Sequence, residues 1–314
     1  MSALDVLTRE GLSLGIELPL DNDLARRATP GAGLLPDLSR HRERAELADR
    51  LGFRALWLRD VPMWMPRDFG DAGQIFDPLP YLGYLAASTT HILLGTAGVV
   101  LPLRQPITLA KEAATVDALS GGRLLLGLAS GDRPGEYPRF GVDYASRGQT
   151  YRESVQTMRE VWTQATEVGI GGDSFLPAPV NGKIPLVGIG SAQQTAGWMA
   201  DHMDAFMTYH RPGDALRVVA GQWNAMTLAP FMTNLYLDLA DDPDSAPEPI
   251  RLGVRVGATR LLEYLLELET AGVAHVNLVL RTGRRDVEDV MNELGESVLP
   301  RLGAGRLGAG ASAT

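Results

Sequence analysis

The chain of 314 residues contains no cysteine. A disulfide framework, a thiolate nucleophile and a Cys-ligated zinc or iron–sulfur site are therefore excluded, and any redox chemistry must come from a bound cofactor. Lysine is almost as scarce: Lys111 falls inside a predicted helix and Lys183 just before a predicted strand, so neither suits a Schiff base at a strand end. Basic charge is in deficit, 29 Lys and Arg against 38 Asp and Glu, for a net charge of -9. No Lys/Arg block stands out, so nucleic acid is not an expected partner. Long apolar runs are missing too. The longest nearly uncharged stretch, Ile92 to Leu103, is far shorter than the ~20 residues of a membrane span. The opening "MSALDVLTREG" carries Asp5, Arg9 and Glu10 where a signal peptide needs an apolar segment. A soluble cytoplasmic protein with no membrane contact is the expectation.

What the chain does contain is a repeated alternation of short Val/Ile/Leu-rich runs and segments of helical period, the pattern of parallel strands buried by crossover helices. Strands are predicted at Leu12–Leu18, Ala55–Leu58, Ile92–Val99, Arg123–Ala129, Ile184–Ile189, Ala205–Tyr209, Met232–Leu239 and Ala274–Leu280. The helices that follow them are predicted at Ser39–Leu51, Pro80–Ser88, Ile107–Leu119, Gly148–Gln164, Ala192–Asp201, Pro212–Trp223, Ala258–Ala271 and Val287–Leu299. Eight such units in succession predict a (β/α)8 TIM barrel with insertions in its loops. One domain is expected over residues 1–302, followed by a loose Gly/Ala-rich tail over 303–314, "GAGRLGAGASAT".

Gly52, Gly272, Gly121 and Gly122 close predicted helices before a strand and are read as turn glycines without chemistry. The loop after the second strand is different. Its residues Met63, Trp64, Met65, Phe69 and Phe76 are too apolar for a plain solvent loop, which predicts either a pocket wall or a subunit contact.

In this fold the chemistry gathers at the C-terminal ends of the strands. His41, His91, His202 and His275 map to helices or strand starts and read as structural, whereas His210 in "TYHRPG" follows the sixth strand. Glu17, Asp60, Asp132 and Asp238 lie near strand ends, and two carboxylates there would permit glycoside hydrolysis. The adjacent Arg59 and Arg133 suggest instead that Asp60 and Asp132 are ion-paired. "VGIGSAQQTAGWMA" places Gly188, Gly190 and Ser191 at a strand-to-helix turn suited to a phosphate, or to a helix whose N-cap is Ser191.

"ADRLGFRALWLRDVP", "LPLRQPITLAKEAATVDALSGGRLLLGLASGD", "SRGQTYRESVQTMREVW" and "IPLVGIGSAQQTAGWMADHMD" together resemble the bacterial luciferase-like monooxygenases, flavin-dependent (β/α)8 proteins, from about Leu12 to Leu299. The resemblance implies FMN, or in some branches a deazaflavin of the F-420 type, a separate flavin reductase, a homodimer and a small-molecule substrate. It implies that Thr96 and Ala97 lie under the flavin ring, where a non-proline cis peptide is common, and that Ser130, Gly131 and Asp132 flank the ring. It also implies a cofactor contact at Arg147 and a phosphate held by Gly190, Ser191 and Gln193. Light-emitting members carry histidine after the second strand; here the chain reads Arg59-Asp60-Val61-Pro62, and Arg59, Asp60, Tyr209 and Arg211 are the candidate catalytic residues. An FMN-dependent monooxygenase is the leading expectation. A deazaflavin-dependent hydride-transfer enzyme and a non-catalytic flavin-binding protein are the alternatives.

Overall fold

A computed structural model of the chain describes residues 1–18, 37–65, 75–166, 175–211 and 214–302. The predicted tail and Phe69 lie outside these described residues. Described elements run α1 (Ala3–Thr8), β1 (Ser13–Leu18), α2 (His41–Leu51), β2 (Ala55–Leu58), α3 (Pro78–Ser88), β3 (Leu93–Thr96), β4 (Val99–Val100) and α4 (Pro106–Ser120). They continue with β5 (Leu124–Ala129), α5 (Arg147–Thr166), β6 (Leu186–Ile189), α6 (Ala196–His202), β7 (Ala205–Tyr209), α7 (Asp214–Met226) and β8 (Phe231–Leu239). The last are β9 (Glu248–Ile250), β10 (Gly253–Val256), α8 (Ala258–Thr270), β11 (Val273–Val279) and α9 (Val287–Ser297).

The chain falls into two compact units, one of Met1–Val6 with Leu58–Phe206, the other of Leu7–Trp57 with Met207–Thr314. Inside the first unit β5 is the central strand. It pairs in parallel with β3 (Leu94 opposite Leu124), with β4 (Val99 opposite Leu128) and with β6 (Leu126 opposite Leu186). The Ala97 N–H donates to Leu58 O at the end of β2, and the Asp204 N–H donates to Leu186 O just before β7. All the residues of β5 up to Leu128 are buried, which is why this segment reads as an unbroken apolar run.

Arg123, at the foot of β5, ties the unit together. Its Nε donates to Ser120 O, Nη1 to Thr89 Oγ1 and Ile92 O, and Nη2 to Ala86 O and Thr89 O, at 2.8–3.0 Å. A guanidinium has the fixed fork of donors that this ring of acceptors requires. α4 starts on Pro106, with Gln105 Oε1 accepting from Thr108 N at 2.6 Å, and stops at Gly121, whose φ is 69°.

In the second unit β11 pairs in parallel with β1 and with β8, and β8 pairs in parallel with β10. The Arg54 N–H donates to Leu14 O, joining β1 to the start of β2, and the His210 N–H donates to Asn234 O, joining the end of β7 to β8. Every strand of the predicted set thus has a neighbour on both sides, and the fold is the predicted (β/α)8 TIM barrel. The short antiparallel pair β9–β10 is an addition that the sequence did not announce. His275 sits fully buried in the core of this unit: Trp57 Nε1 donates to its Nε2 at 2.9 Å, which leaves Nδ1 as the donor to Ser13 Oγ at 2.7 Å.

Candidate cofactor site

All nine residues assigned to the cofactor fall in the first unit, on the loops that follow β3, β5 and β6 and at the start of α5. After β3, Thr96 is fully buried and its hydroxyl donates to Gly127 O at 2.7 Å, so its side chain is committed to β5. The Ala97–Gly98 peptide is cis. A Cβ on Gly98 would stand 2.6 Å from Ile189 Cγ1 and 2.9 Å from the Gly127 carbonyl, so only glycine fits there.

After β5, Ser130 is buried, Gly131 has φ 73°, and Asp132 is exposed. A Cβ on Gly131 would meet Val100 Cγ1 at 2.7 Å and Tyr137 Oη at 3.0 Å. Tyr137 anchors the loop: it is fully buried, its hydroxyl donates to Ser130 O, and its ring packs edge-on to Tyr144 at 4.9 Å. Arg147 lies over the Tyr144 ring at 3.7 Å and donates from Nη1 to Tyr144 O at 2.8 Å. Among the described residues its buried Nε has no hydrogen-bond partner, a donor left over at the mouth of α5.

The loop after β6 corrects one expectation. The helix does not begin at Ala192 and Ser191 does not cap it: α6 begins at Ala196, and Thr195 is the N-cap, accepting from Trp198 N at 3.2 Å. Instead Gly190, Ala192 and Gln193 take φ values of 61°, 47° and 62°. Two of these are non-glycine residues in the left-handed region, which costs on the order of 1 kcal/mol each and must be held by neighbours. The holder is Gln194, whose Nε2 donates to Gly148 O at 2.8 Å and to Ala192 O at 2.9 Å. The loop therefore packs on the start of α5, where a Cβ on Gly148 would come within 2.9 Å of Gln193 Cβ. Ser191 and Gln193 keep their side chains exposed.

The expected ion pairs are also different. Asp60, whose side chain is 2% exposed, pairs not with Arg59 but with Arg104 Nη2 at 2.9 Å, and its other oxygen accepts from Val100 N at 3.0 Å. Burial pushes the Asp60 carboxyl upward, and the Arg104 charge opposes that shift. Arg104 also holds Asp77 at 2.7 Å, so one guanidinium clasps both ends of the segment after β2. Arg133 comes within 3.8 Å of Glu136. In the second unit Asp238 is held by Arg255 and Arg284, each at 3.3 Å, and by the Arg284 N–H at 3.0 Å. Asp60 and Asp238 are thus occupied, which removes them as the free acid and base of a glycosidase.

Tyr209 and Arg211 lie in the second unit, at and just beyond the end of β7, both exposed. His210 is buried, with Nε2 2.7 Å from Tyr264 Oη, and burial lowers its pKa to about 4. Of the apolar residues after β2, Trp64 and Phe76 are exposed and Met63 and Met65 half-buried, and Phe76 packs edge-on to Tyr81 at 5.1 Å. Among the described residues no helix is long and apolar enough to cross a membrane.

Residues 13–249 match the model of the luciferase-like monooxygenases. The chain belongs to that family. An uncharacterized protein of Mycobacterium tuberculosis is 32% identical over 234 residues, covering 67% of this chain and 83% of the relative. The oxygenase component of a flavin-dependent trigonelline monooxygenase of Acinetobacter baylyi is 39% identical over 124 residues, 38% of this chain and 32% of that one. Among solved structures, the coenzyme F-420-dependent tetrahydromethanopterin reductase of Methanopyrus kandleri superposes with a TM-score of 0.67 at 16% identity, over 93% of this chain and 99% of that one. Members of the family are oxidoreductases or monooxygenases, and this chain has their fold.

Proposed function

We propose that the protein is an FMN-dependent monooxygenase that acts with reduced flavin and oxygen on a small organic substrate. The observation that carries this reading is the run of left-handed residues at Gly190, Ala192 and Gln193 beside Arg147, whose buried Nε has no hydrogen-bond partner among the described residues. Turns that enter the left-handed region can gather backbone N–H groups into a concavity that takes an anion, and the two non-glycine residues held left-handed here are what motivate placing the phosphate at this loop. The residues fit the cofactor: Gly190, Ser191, Gln193 and Arg147 would hold its phosphate. Gly98 and Gly131 leave no room for a side chain and so keep the backbone after β3 and β5 narrow where the ring would lie.

When bound, the reduced flavin supplies the electrons that activate oxygen. The chain's own part is positioning and exclusion of water. Tyr137 holds Ser130, Gln194 holds the phosphate loop, and Arg104 fixes both ends of the segment that carries Met63, Trp64 and Met65. Arg59 is the polar group of this unit proposed to orient substrate. A homodimer in the cytoplasm, supplied with reduced flavin by a separate reductase, completes the proposal and rests on family membership alone.

A deazaflavin reading is favoured by the F-420-dependent structural neighbour, since the same barrel accepts either ring. Titration of the purified protein with FMN, FAD and F-420 tests both. The expected result is tighter binding of FMN than of FAD, and a tenfold or greater loss of FMN affinity in Ser191→Asp through repulsion of the phosphate. Because Ser191 caps no helix here, that substitution leaves stability unchanged. Binding of F-420 alone moves the assignment to hydride transfer, and no binding of either cofactor refutes it.

A further inference from the structure

Glu136 is the one acid of the first unit that is at once almost wholly buried, at 1% exposure, and incompletely satisfied among the described residues. It precedes the short 3-10 turn Tyr137–Phe140 on the segment after β5. Its Oε1 accepts from the backbone N–H of Met63, on the segment after β2, at 3.3 Å. Its Oε2 is buried and has no hydrogen-bond partner. Next to it, a Cβ on Gly135 would stand 2.8 Å from Met65 Cε, so the two segments touch at a second point. Neither contact is local: Met63 and Glu136 are 73 residues apart in the chain.

Resting on the flavin reading above, we propose that Glu136 is a positioning residue: its buried carboxyl carries the Met63 backbone and through it fixes residues 61–65 as a wall of the proposed site. A carboxyl that served only as an ion-pair partner would sit closer to Arg133 than 3.8 Å and would not spend its nearer oxygen on a neutral amide. The charged groups that face it are Arg133, Asp60 and Asp132, one cation against two anions. Burial, the larger influence, and the two anions push its pKa up, while Arg133 and the Met63 N–H act the other way. What the contact asks of Glu136 is an acceptor oxygen, and Oε1 supplies it. Along this wall Met63 and Met65 are half-buried and Trp64 is exposed.

The test needs no substrate. In cofactor-free protein labelled with 15N-methionine, the Met63 amide is assigned by its loss in Met63→Leu and its hydrogen exchange is measured. Glu136→Gln keeps a carbonyl oxygen for the amide and is expected to exchange within about threefold of wild type, while Glu136→Ala exchanges about tenfold faster or more. Equal exchange in wild type and Glu136→Ala overturns the contact, and so does equally fast exchange in Gln and Ala, because a carbonyl oxygen in the same place would then fail to hold the amide. Should Glu136→Ala fail to fold, Glu136→Asp, one methylene too short to reach, takes its place with the same expected outcomes. In FMN-loaded protein, iodide quenching of the bound flavin's fluorescence then reads the wall. FMN affinity is expected to stay near wild type in every variant, with quenching raised severalfold in Ala and restored in Gln. Quenching that is equal in wild type and Ala overturns the wall. A protein that binds no FMN refutes the flavin reading alone, and the amide exchange still decides the role of Glu136.

Discussion

Lowering the pH from 7 to 5 should cost this protein stability through one buried ring. His275 is fully buried and hydrogen-bonded at both nitrogens, to Trp57 Nε1 at 2.9 Å and to Ser13 Oγ at 2.7 Å. The indole can only donate, so a second proton on His275 would set two donors face to face. Burial first, and the Arg54 charge second, lower its pKa from 6.5 to about 3. The folded value lies below the unfolded one, so the native state binds fewer protons. The contribution of the neutral ring is complete above pH 6.5 and is lost as the pH falls from there toward 3. At 1.36 kcal/mol per unit, the loss between pH 7 and 5 is about 2 kcal/mol, and it reaches about 4 kcal/mol by pH 3. Urea unfolding of wild type and His275→Gln at both pH values isolates this share, because His210, which titrates in the same sense, is present in both proteins. The variant should be less stable at pH 7 yet lose about 2 kcal/mol less than wild type on going to pH 5. If the two proteins lose the same amount, His275 does not resist protonation in the folded state and the argument from its two hydrogen bonds is wrong.

Arg123→Lys should destabilise the protein by about 2–4 kcal/mol in urea unfolding, because an ammonium with three donors cannot reach the acceptors at Ser120, Thr89, Ile92 and Ala86; a loss under about 0.5 kcal/mol would show that water replaces them freely. Gly127→Ala places a Cβ 1.7 Å from Thr96 O and should yield no soluble folded protein, as read by circular dichroism of the purified material; a native-like spectrum and melting transition would contradict the close approach of β3 and β5. Arg104→Ala leaves the buried Asp60 carboxyl with only the Val100 N–H and should cost about 3 kcal/mol in unfolding experiments, with Asp60→Asn in the same background recovering part of it. Failure of Asp60→Asn to recover any stability would mean that the charge on Asp60 is not what Arg104 compensates.

Each barrel strand was legible as a short apolar run because a parallel strand covered on both faces has no polar side to show, and β5 from Leu124 to Leu128 is the plainest instance. Gly52, Gly121 and Gly272 were legible as helix stops for an equally local reason: each takes a positive φ, at 88°, 69° and 90°, that side chains resist. The loops around the proposed site were placed correctly as connections, yet their internal wiring was not. Ala192 and Gln193 are ordinary helix formers, and nothing local forbids a helix there. Gln194, bonded to Gly148 46 residues away, and the cap at Thr195 hold them left-handed. Asp60 has an arginine beside it in sequence but chooses Arg104, because the fold buries the carboxyl where that guanidinium arrives, 44 residues on. Glu136 gave no signal at all, lying in a polar stretch whose carboxyl becomes buried only when Met63 comes to rest against it. Periodicity and glycine report what a segment does with its immediate neighbours, and so they determined the strands, the helices and the turns. The partners of buried charges are set by which distant segments share a dry space, and that was decided by tertiary packing.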